Sequence, residues 1–191
     1  MTGLTAITGG IGCGKSVVAE ILRSLGHDVY DCDTRAKFLM DSSLSIKEQI
    51  AAEICEEAIL PSGSIDRATL AEKVFADSAK LDILNSIVHQ AVRHDIQMWA
   101  KERPNAFIET AILYQSQLDR MVDCVWEVTA PRHIRVERVM LRSSLTSEQV
   151  LARMKSQESF VAAHTHPNVR MIENDGVKPV LPQILRLLTR Y

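Results

Sequence analysis

At 191 residues the chain has the length of a single domain, or of a core carrying one or two small insertions. Its composition is that of an ordinary soluble globular protein, and a formal net charge of −2 argues against a bulk nucleic-acid footprint while leaving local basic clusters open. No apolar run is long enough to span a bilayer, and Met1-Thr2-Gly3 leads straight into a first strand, leaving no room for a signal peptide, so the expected compartment is the cytoplasm and no membrane partner is expected.

Leu4-Thr5-Ala6-Ile7-Thr8 is a short apolar run of the kind found in buried parallel strands. Gly9-Gly10-Ile11-Gly12-Cys13-Gly14-Lys15-Ser16 follows and matches G-x-x-x-x-G-K-[ST], the phosphate-binding P-loop. Val17, Val18, Ile21, Leu22 and Leu25 then recur at helical spacing, and Gly26 stands where a helix would stop. Strand, glycine loop and helix are the context the motif requires. Glycines let a backbone turn its N–H groups toward phosphate oxygens without Cβ clashes, and the helix beginning near Lys15 adds its unpaired amides and positive dipole end. This makes Gly10, Ile11, Gly12, Cys13, Gly14, Lys15, Ser16 and Val17 the candidate nucleotide contacts. Lys15 is expected to reach the β- and γ-phosphates of ATP, and the Ser16 hydroxyl to ligate Mg²⁺.

The four cysteines, Cys13, Cys32, Cys55 and Cys124, form no C-x-x-C pair or zinc spacing and are expected to be free thiols. Cys13 carries two readings. A thiol near a helix N-terminus and a lysine has a lowered pKa, which would make it oxidation-sensitive and nucleotide-protected; alternatively it is a small residue filling the loop.

His27-Asp28-Val29-Tyr30 is a second short strand ending at Asp31-Cys32-Asp33, with a helix expected from near Thr34. Acids just beyond a strand's C-terminal end sit where ligands bind in open α/β sheets, and an extended backbone would send Asp31 and Asp33 to the same side. Asp31 fits turn or capping chemistry, whereas Asp33 is a candidate acceptor of a hydroxyl proton. Residues 35–103 are mostly helical. Ile46, Ile50, Ile54 and Ala58 repeat at i+4, Leu60-Pro61-Ser62-Gly63 is a turn, and Asp66 caps a helix carrying Leu70 and Val74. A long helix places Leu81, Leu84, Val88, Val92, Ile96 and Trp99 on one face. His89 and Arg93 share another, which spacing alone leaves open as a solvated polar stripe.

Ala106-Phe107-Ile108-Glu109 is the third strand, and Glu109 at its end is either a water-mediated Mg²⁺ ligand or a solvated acid. Cys124-Val125-Trp126-Glu127-Val128 is the fourth strand, after which Pro131 is expected at the first position of a helix. Arg132, Arg135, Arg138 and Arg142 lie along one face of that helix, and Thr146-Ser147-Glu148-Gln149 is a capping box opening another, on which Arg153 and Gln157 lie one turn apart. An arginine-bearing hairpin suits a lid that brings cations to a transferred phosphoryl group; the alternative is a solvated basic face. His164 and His166 form at most a weak two-histidine metal site. Val169-Arg170-Met171-Ile172 is the fifth strand, Asn174-Asp175-Gly176 a turn, and a last helix buries Val180, Ile184, Leu187 and Leu188.

These motifs together resemble the dephospho-CoA kinases. The resemblance runs through Thr8 to Ser16, Val29-Tyr30-Asp31-Cys32-Asp33, Leu84 to His89, Ala111-Ile112-Leu113-Tyr114, Arg138 to Arg142, Arg153-Met154-Lys155-Ser156-Gln157 and Asn174-Asp175-Gly176, nearly the whole chain in order. It implies a P-loop kinase fold: a five-stranded parallel sheet flanked by helices (core 1–34, 104–137 and 168–191), an inserted helical substrate domain at about 35–103 and a lid at about 138–167. It implies transfer of the ATP γ-phosphate to the ribose 3′-hydroxyl of dephospho-CoA. By the same resemblance Asp33 is the general base, with Lys15 and Arg142 catalytic. Thr8, Asp33, Lys37, His89 and Arg93 meet the acceptor, Arg138 and Asn174 meet ATP, and Ser16 and Glu109 serve Mg²⁺. The chain departs from the family's pattern at Cys13, Gln90 and Gln115, and between Ser159 and Asn168. A nucleoside-monophosphate kinase and a non-catalytic nucleotide switch are the alternatives, and a monomer is the expected state.

Overall fold

The computed structural model describes residues 3–161 and 166–189, with side chains described outside 158–161. Among these residues lies a five-stranded, all-parallel sheet in the order β2-β3-β1-β4-β5. Its strands are β1 (Leu4–Thr8), β2 (Val29–Asp31), β3 (Ala106–Glu109), β4 (Cys124–Thr129) and β5 (Val169–Glu173). The helices are α1 (Lys15–Ser24), α2 (Cys32–Ser42), α3 (Leu44–Glu53), α4 (Arg67–Ala76), α5 (Ser78–Ala100), α6 (Arg132–Arg142), α7 (Ser147–Val161) and α8 (Val180–Leu188). The chain divides into two compact units. One is built from the residues up to Asp31 and from Ala100 onward; the other is Cys32–Trp99.

The first unit is organised by β1. All five of its residues are buried, as a central parallel strand covered on both faces must be. Under α1, Ile7, Val18, Ala19, Leu22, Phe107, Trp126, Ile172 and Ile184 form one apolar core. Burial of Val18 and Leu22 contributes about 1.5–3 kcal/mol each, and α1 stops because Gly26 takes a left-handed φ of 88°. There the Gly26 N–H bonds to the Arg23 carbonyl and the His27 N–H to the Leu22 carbonyl, the Schellman arrangement. The capping box before α7 also forms. The Thr146 N–H donates to Gln149 Oε1 at 2.9 Å, and the Gln149 N–H to Thr146 Oγ1 at 3.3 Å.

The helical unit has its own core, in which Ile46, Ile50, Ile54, Ala58, Leu70, Val74 and Ile87 cluster. Asp66 caps α4, its carboxylate accepting from the Ala68 and Thr69 amides. A bidentate pair holds α2 to α5: Arg35 Nε and Nη2 donate to the Asp95 carboxylate at 2.8–3.0 Å.

Several boundaries differ from expectation. β2 spans only Val29–Asp31, and α2 starts at Cys32 rather than near Thr34. Asp33 is therefore helical, in the first turn of α2, and does not share an extended face with Asp31. A carboxylate is favoured there by the helix dipole, so the helix extends back over it. Pro131 is the residue before α6, not its first helical position. On α5 the apolar face is rotated toward Ile87, buried with Val92 and Ile96, while Val88 is only half-buried. Of the two histidines weighed as a metal pair, His164 lies outside the described residues. His166 is committed elsewhere: Nε2 lies 3.1 Å from the Val122 carbonyl oxygen, and Nδ1 lies 3.1 Å from the Asn168 backbone nitrogen and 3.2 Å from its carbonyl oxygen. Neither ring nitrogen remains for a metal.

Candidate active site

The loop from Gly9 to Gly14 sits at the C-terminal end of β1, as the switch point of an open α/β sheet requires. Gly14 has φ 94° and ψ 34° and precedes α1 with no side-chain cap and no acid in the first turn. The Lys15 and Ser16 amides thus precede the first helical bond, which the Val17 amide makes to the Gly14 carbonyl, and the first turn carries no acid of its own, conditions that suit an anion. Lys15 Nζ lies 3.1 Å from the Gly9 carbonyl, folded back over the loop. Ser16 and Val17 are exposed on the same turn. Thr8 is buried at the strand end and lines a small cleft together with Gly9, Gly10, Tyr114, Glu127 and Gln157.

Cys13 is oriented away from this surface. It is 1% exposed and packs into the core with Ile7, Val18 and Trp126. Burial pushes its thiol pKa up, outweighing the opposing effects of Lys15, the backbone amides and Arg135. Of the two readings of Cys13, burial therefore favours the small residue that fills the loop over the oxidation-sensitive thiol, because desolvation outweighs the nearby charge.

The arginine run of α6 does not form one solvated face. Arg132 and Arg142 are exposed at its two ends. Arg135 Nε donates to the Ile11 carbonyl at 2.9 Å. Arg138 donates to the Asn174 backbone carbonyl at 3.0 Å and to its Oδ1 at 3.3 Å, and Asn174 Nδ2 in turn donates to the Cys13 carbonyl at 2.9 Å. From α7, Gln157 Oε1 accepts the Ile11 N–H at 2.8 Å. Arg135 and Gln157 were not among the site residues selected from sequence. Their only local signal was membership of the arginine face and of the Arg153–Gln157 turn.

At the sheet's carboxyl edge, Asp31 and Glu109 are register partners across β2 and β3, and partners in adjacent parallel strands project to the same face. No cluster of three or more His, Cys, Asp or Glu side chains suited to a metal occurs among the described residues. Hard oxygen donors in small number match what Mg²⁺ takes from a protein when phosphates and water supply the rest. In the helical unit, Asp33 and Lys37 are exposed one turn apart on α2. His89 and Arg93 are half-buried one turn apart on α5, and burial, with a smaller push from Arg93, lowers the His89 pKa. Helix α5 is tied to α2 through Arg35–Asp95.

A P-loop after the central strand of a parallel sheet, with lysine and serine opening the next helix, defines a P-loop kinase fold. The family model described as CoaE, dephospho-CoA kinase, matches residues 4–179. A dephospho-CoA kinase of Bacteroides fragilis is 35% identical over 185 residues, covering 95% of this chain and 89% of that protein. A crystal structure of a Thermus thermophilus protein has a TM-score of 0.74 at 33% identity, covering 98% of this chain and 95% of that one. A dephospho-CoA kinase structure from Campylobacter jejuni, at 24% identity and TM-score 0.68 over 100% of this chain and 97% of that one, shows the shared fold. The chain belongs to the dephospho-CoA kinase family, and it is an ATP-dependent kinase.

Proposed function

We propose that this chain transfers the γ-phosphate of ATP to the ribose 3′-hydroxyl of dephospho-CoA, the last step of coenzyme A synthesis. The observation that carries this reading is the family match over residues 4–179, enclosing a complete strand–loop–helix phosphate cradle. The helical segment of about 35–103 is the acceptor domain, with Lys37, His89 and Arg93 meeting dephospho-CoA, and about 138–167 is the lid. Asp33 takes the proton of the 3′-hydroxyl as its oxygen bonds to the γ-phosphorus. The bond from the γ-phosphorus to the β–γ bridging oxygen breaks, and ADP leaves. Lys15 and Arg142 offset the charge that gathers on the transferred group.

Arg138 and Asn174 line the nucleotide side. The exposed Ser16 hydroxyl and the Glu109 carboxylate are the groups that would hold Mg²⁺, which when bound supplies charge neutralisation at the phosphates. Among the described residues no helix is long and apolar enough to cross a membrane; we further propose a cytoplasmic location for the enzyme.

The test is ATP-dependent conversion of dephospho-CoA to CoA, followed by the mass gain of one phosphoryl group, with AMP and CMP as competing acceptors. Phosphorylation of dephospho-CoA at a kcat/KM at least a hundredfold above either nucleotide is the expected result. Preference for AMP or CMP would make it a nucleoside-monophosphate kinase. Binding without transfer would make it a switch.

A further inference from the structure

The motif G-x-x-x-x-G-K-[ST] leaves positions 10 and 12 unspecified, yet both are glycine here. A Cβ on Gly10 would overlap the Arg135 guanidinium, and one on Gly12 would come 2.5 Å from the Arg135 carbonyl oxygen and 3.0 Å from its Cα. These two glycines therefore make room for α6 as well as for phosphate. The same lack of Cβ leaves the peptides on either side of Ile11 free to flip, because glycine gives up more conformational freedom on ordering than any other residue.

Both peptides are nevertheless tied down. The Gly10–Ile11 peptide is held by its N–H on Gln157 Oε1, while its Gly10 carbonyl accepts the Cys13 N–H at 3.3 Å. The Ile11–Gly12 peptide is held by its carbonyl on Arg135 Nε, and a trans peptide then sends the Gly12 N–H the opposite way. The Ile11 side chain completes the attachment by packing against the small core of Val139, Val150 and Met154 between α6 and α7. One loop residue is thus gripped by its N–H, its C=O and its side chain, all from the same helical hairpin.

We propose that Gln157 and Arg135 are positioning residues that fix the peptide orientations of the phosphate loop through Ile11, so that the root of the α6–α7 hairpin is part of the nucleotide cradle. The proposal rests on the reading of the loop as the ATP site but not on the identity of the acceptor. Ordering the loop before ATP arrives removes an entropic cost from binding, so loss of the clamp shows in nucleotide affinity.

The experiment uses the full chain with Gln157→Met, which keeps side-chain bulk but offers no comparable acceptor, and Gln157→Glu, which keeps an acceptor oxygen. Binding of a non-hydrolysable ATP analogue is measured by calorimetry with no acceptor present, so a wrong acceptor assignment leaves this arm standing. Amide exchange at Ile11 is followed by NMR. Gln157→Met is expected to weaken the analogue by roughly tenfold and to speed Ile11 exchange by at least about tenfold. KM for dephospho-CoA should stay unchanged. Gln157→Glu should keep Ile11 protected, whatever its added charge does to ATP. Unchanged analogue affinity in Gln157→Met overturns the clamp. So does tighter binding, the mark of a latch that nucleotide must displace. A fall in melting temperature with equal loss of Ile11 protection in both variants would reduce Gln157 to a folding residue and also overturn it.

Discussion

In the phosphate loop, the backbone at Ile11 and Cys13 is held by atoms far away in sequence. Gln157 takes the Ile11 amide from 146 positions on, Arg135 the Ile11 carbonyl from 124 positions on, and Asn174 the Cys13 carbonyl from 161 positions on. In the helical unit the arrangement is the reverse. Asp33 and Lys37 are exposed, and what fixes them is the helix they stand on, itself locked to α5 by Arg35 and Asp95. The difference matches the chemistry proposed for each region. Charge development on a phosphoryl group is best met by dipoles that need not reorganise, which calls for a loop with little freedom. A carboxylate that must receive a proton from an incoming hydroxyl needs access first.

Charge removal in each region separates the two most directly. Lys15→Ala deletes a cation from the ordered cradle and should lower turnover by about 10²–10³, roughly 2.7–4 kcal/mol, while also weakening ATP. Asp33→Asn should lower turnover comparably yet leave affinity for a non-hydrolysable ATP analogue unchanged, because Asp33 belongs to α2 and not to the loop. Steady-state kinetics with analogue calorimetry checks both. Wild-type turnover in Asp33→Asn would remove that residue from the mechanism.

Gly14→Ala tests the ordering itself. Gly14 has φ 94°, and a Cβ there would overlap the Asn174 side-chain amide that bonds the Cys13 carbonyl. A non-glycine residue in left-handed backbone costs about 1–3 kcal/mol, and displacing Asn174 adds to it. Urea unfolding should show a loss of about that size, whereas alanine at Gly63, in an open turn with nothing within 4 Å of its Cβ, should lose only the left-handed cost.

How much of this was legible in the sequence follows the same division. The glycine loop, its flanking strand and helix, the capping box and the Asp66 cap are local patterns, and each forms as its spacing predicts. Arg135 and Gln157 were not legible as site residues, because nothing within one helical turn distinguishes a guanidinium aimed at a distant carbonyl from one in water. For Cys13 the choice between the two readings was open in the sequence for a related reason. Its charged neighbours are written in the chain, but its burial depends on Trp126 and Val18 closing over it, and desolvation outweighs those charges. Asp33 does lie beyond the strand that ends at Asp31, but on helix and not on extended backbone, and nothing in Tyr30-Asp31-Cys32 marks where the one gives way to the other.

The helical unit offers a gentler probe. Burial holds the His89 pKa below its ordinary 6.5. A histidine depressed in the folded state binds fewer protons there than when unfolded, so its contribution is complete above the unfolded pKa and is lost as pH falls through the window below it. Wild-type melting temperature should therefore drop more between about pH 7.5 and about pH 5.5 than that of His89→Gln, which cannot titrate.

The smallest expected effect separates two ion pairs within that unit. Arg67 and Asp41 meet at 2.8 Å, but their side chains are 53% and 58% exposed, so solvent screens the attraction and holding two long side chains costs rotamer entropy. Arg67→Ala should change unfolding free energy by no more than about 0.2–1 kcal/mol, and less still in high salt. Arg35 and Asp95 meet at the same 2.8 Å with exposures of 39% and 23% and in bidentate geometry, with Arg35 also lying 4.7 Å from the Phe38 ring centroid. Removing Arg35 takes the bidentate donor from a mostly covered carboxylate and deletes this tie between α2 and α5. Arg35→Ala should therefore cost more stability than Arg67→Ala and lower turnover as well, because α2 carries Asp33. Equal stability losses and unchanged turnover would mean that α2 is held in place by its apolar contacts alone.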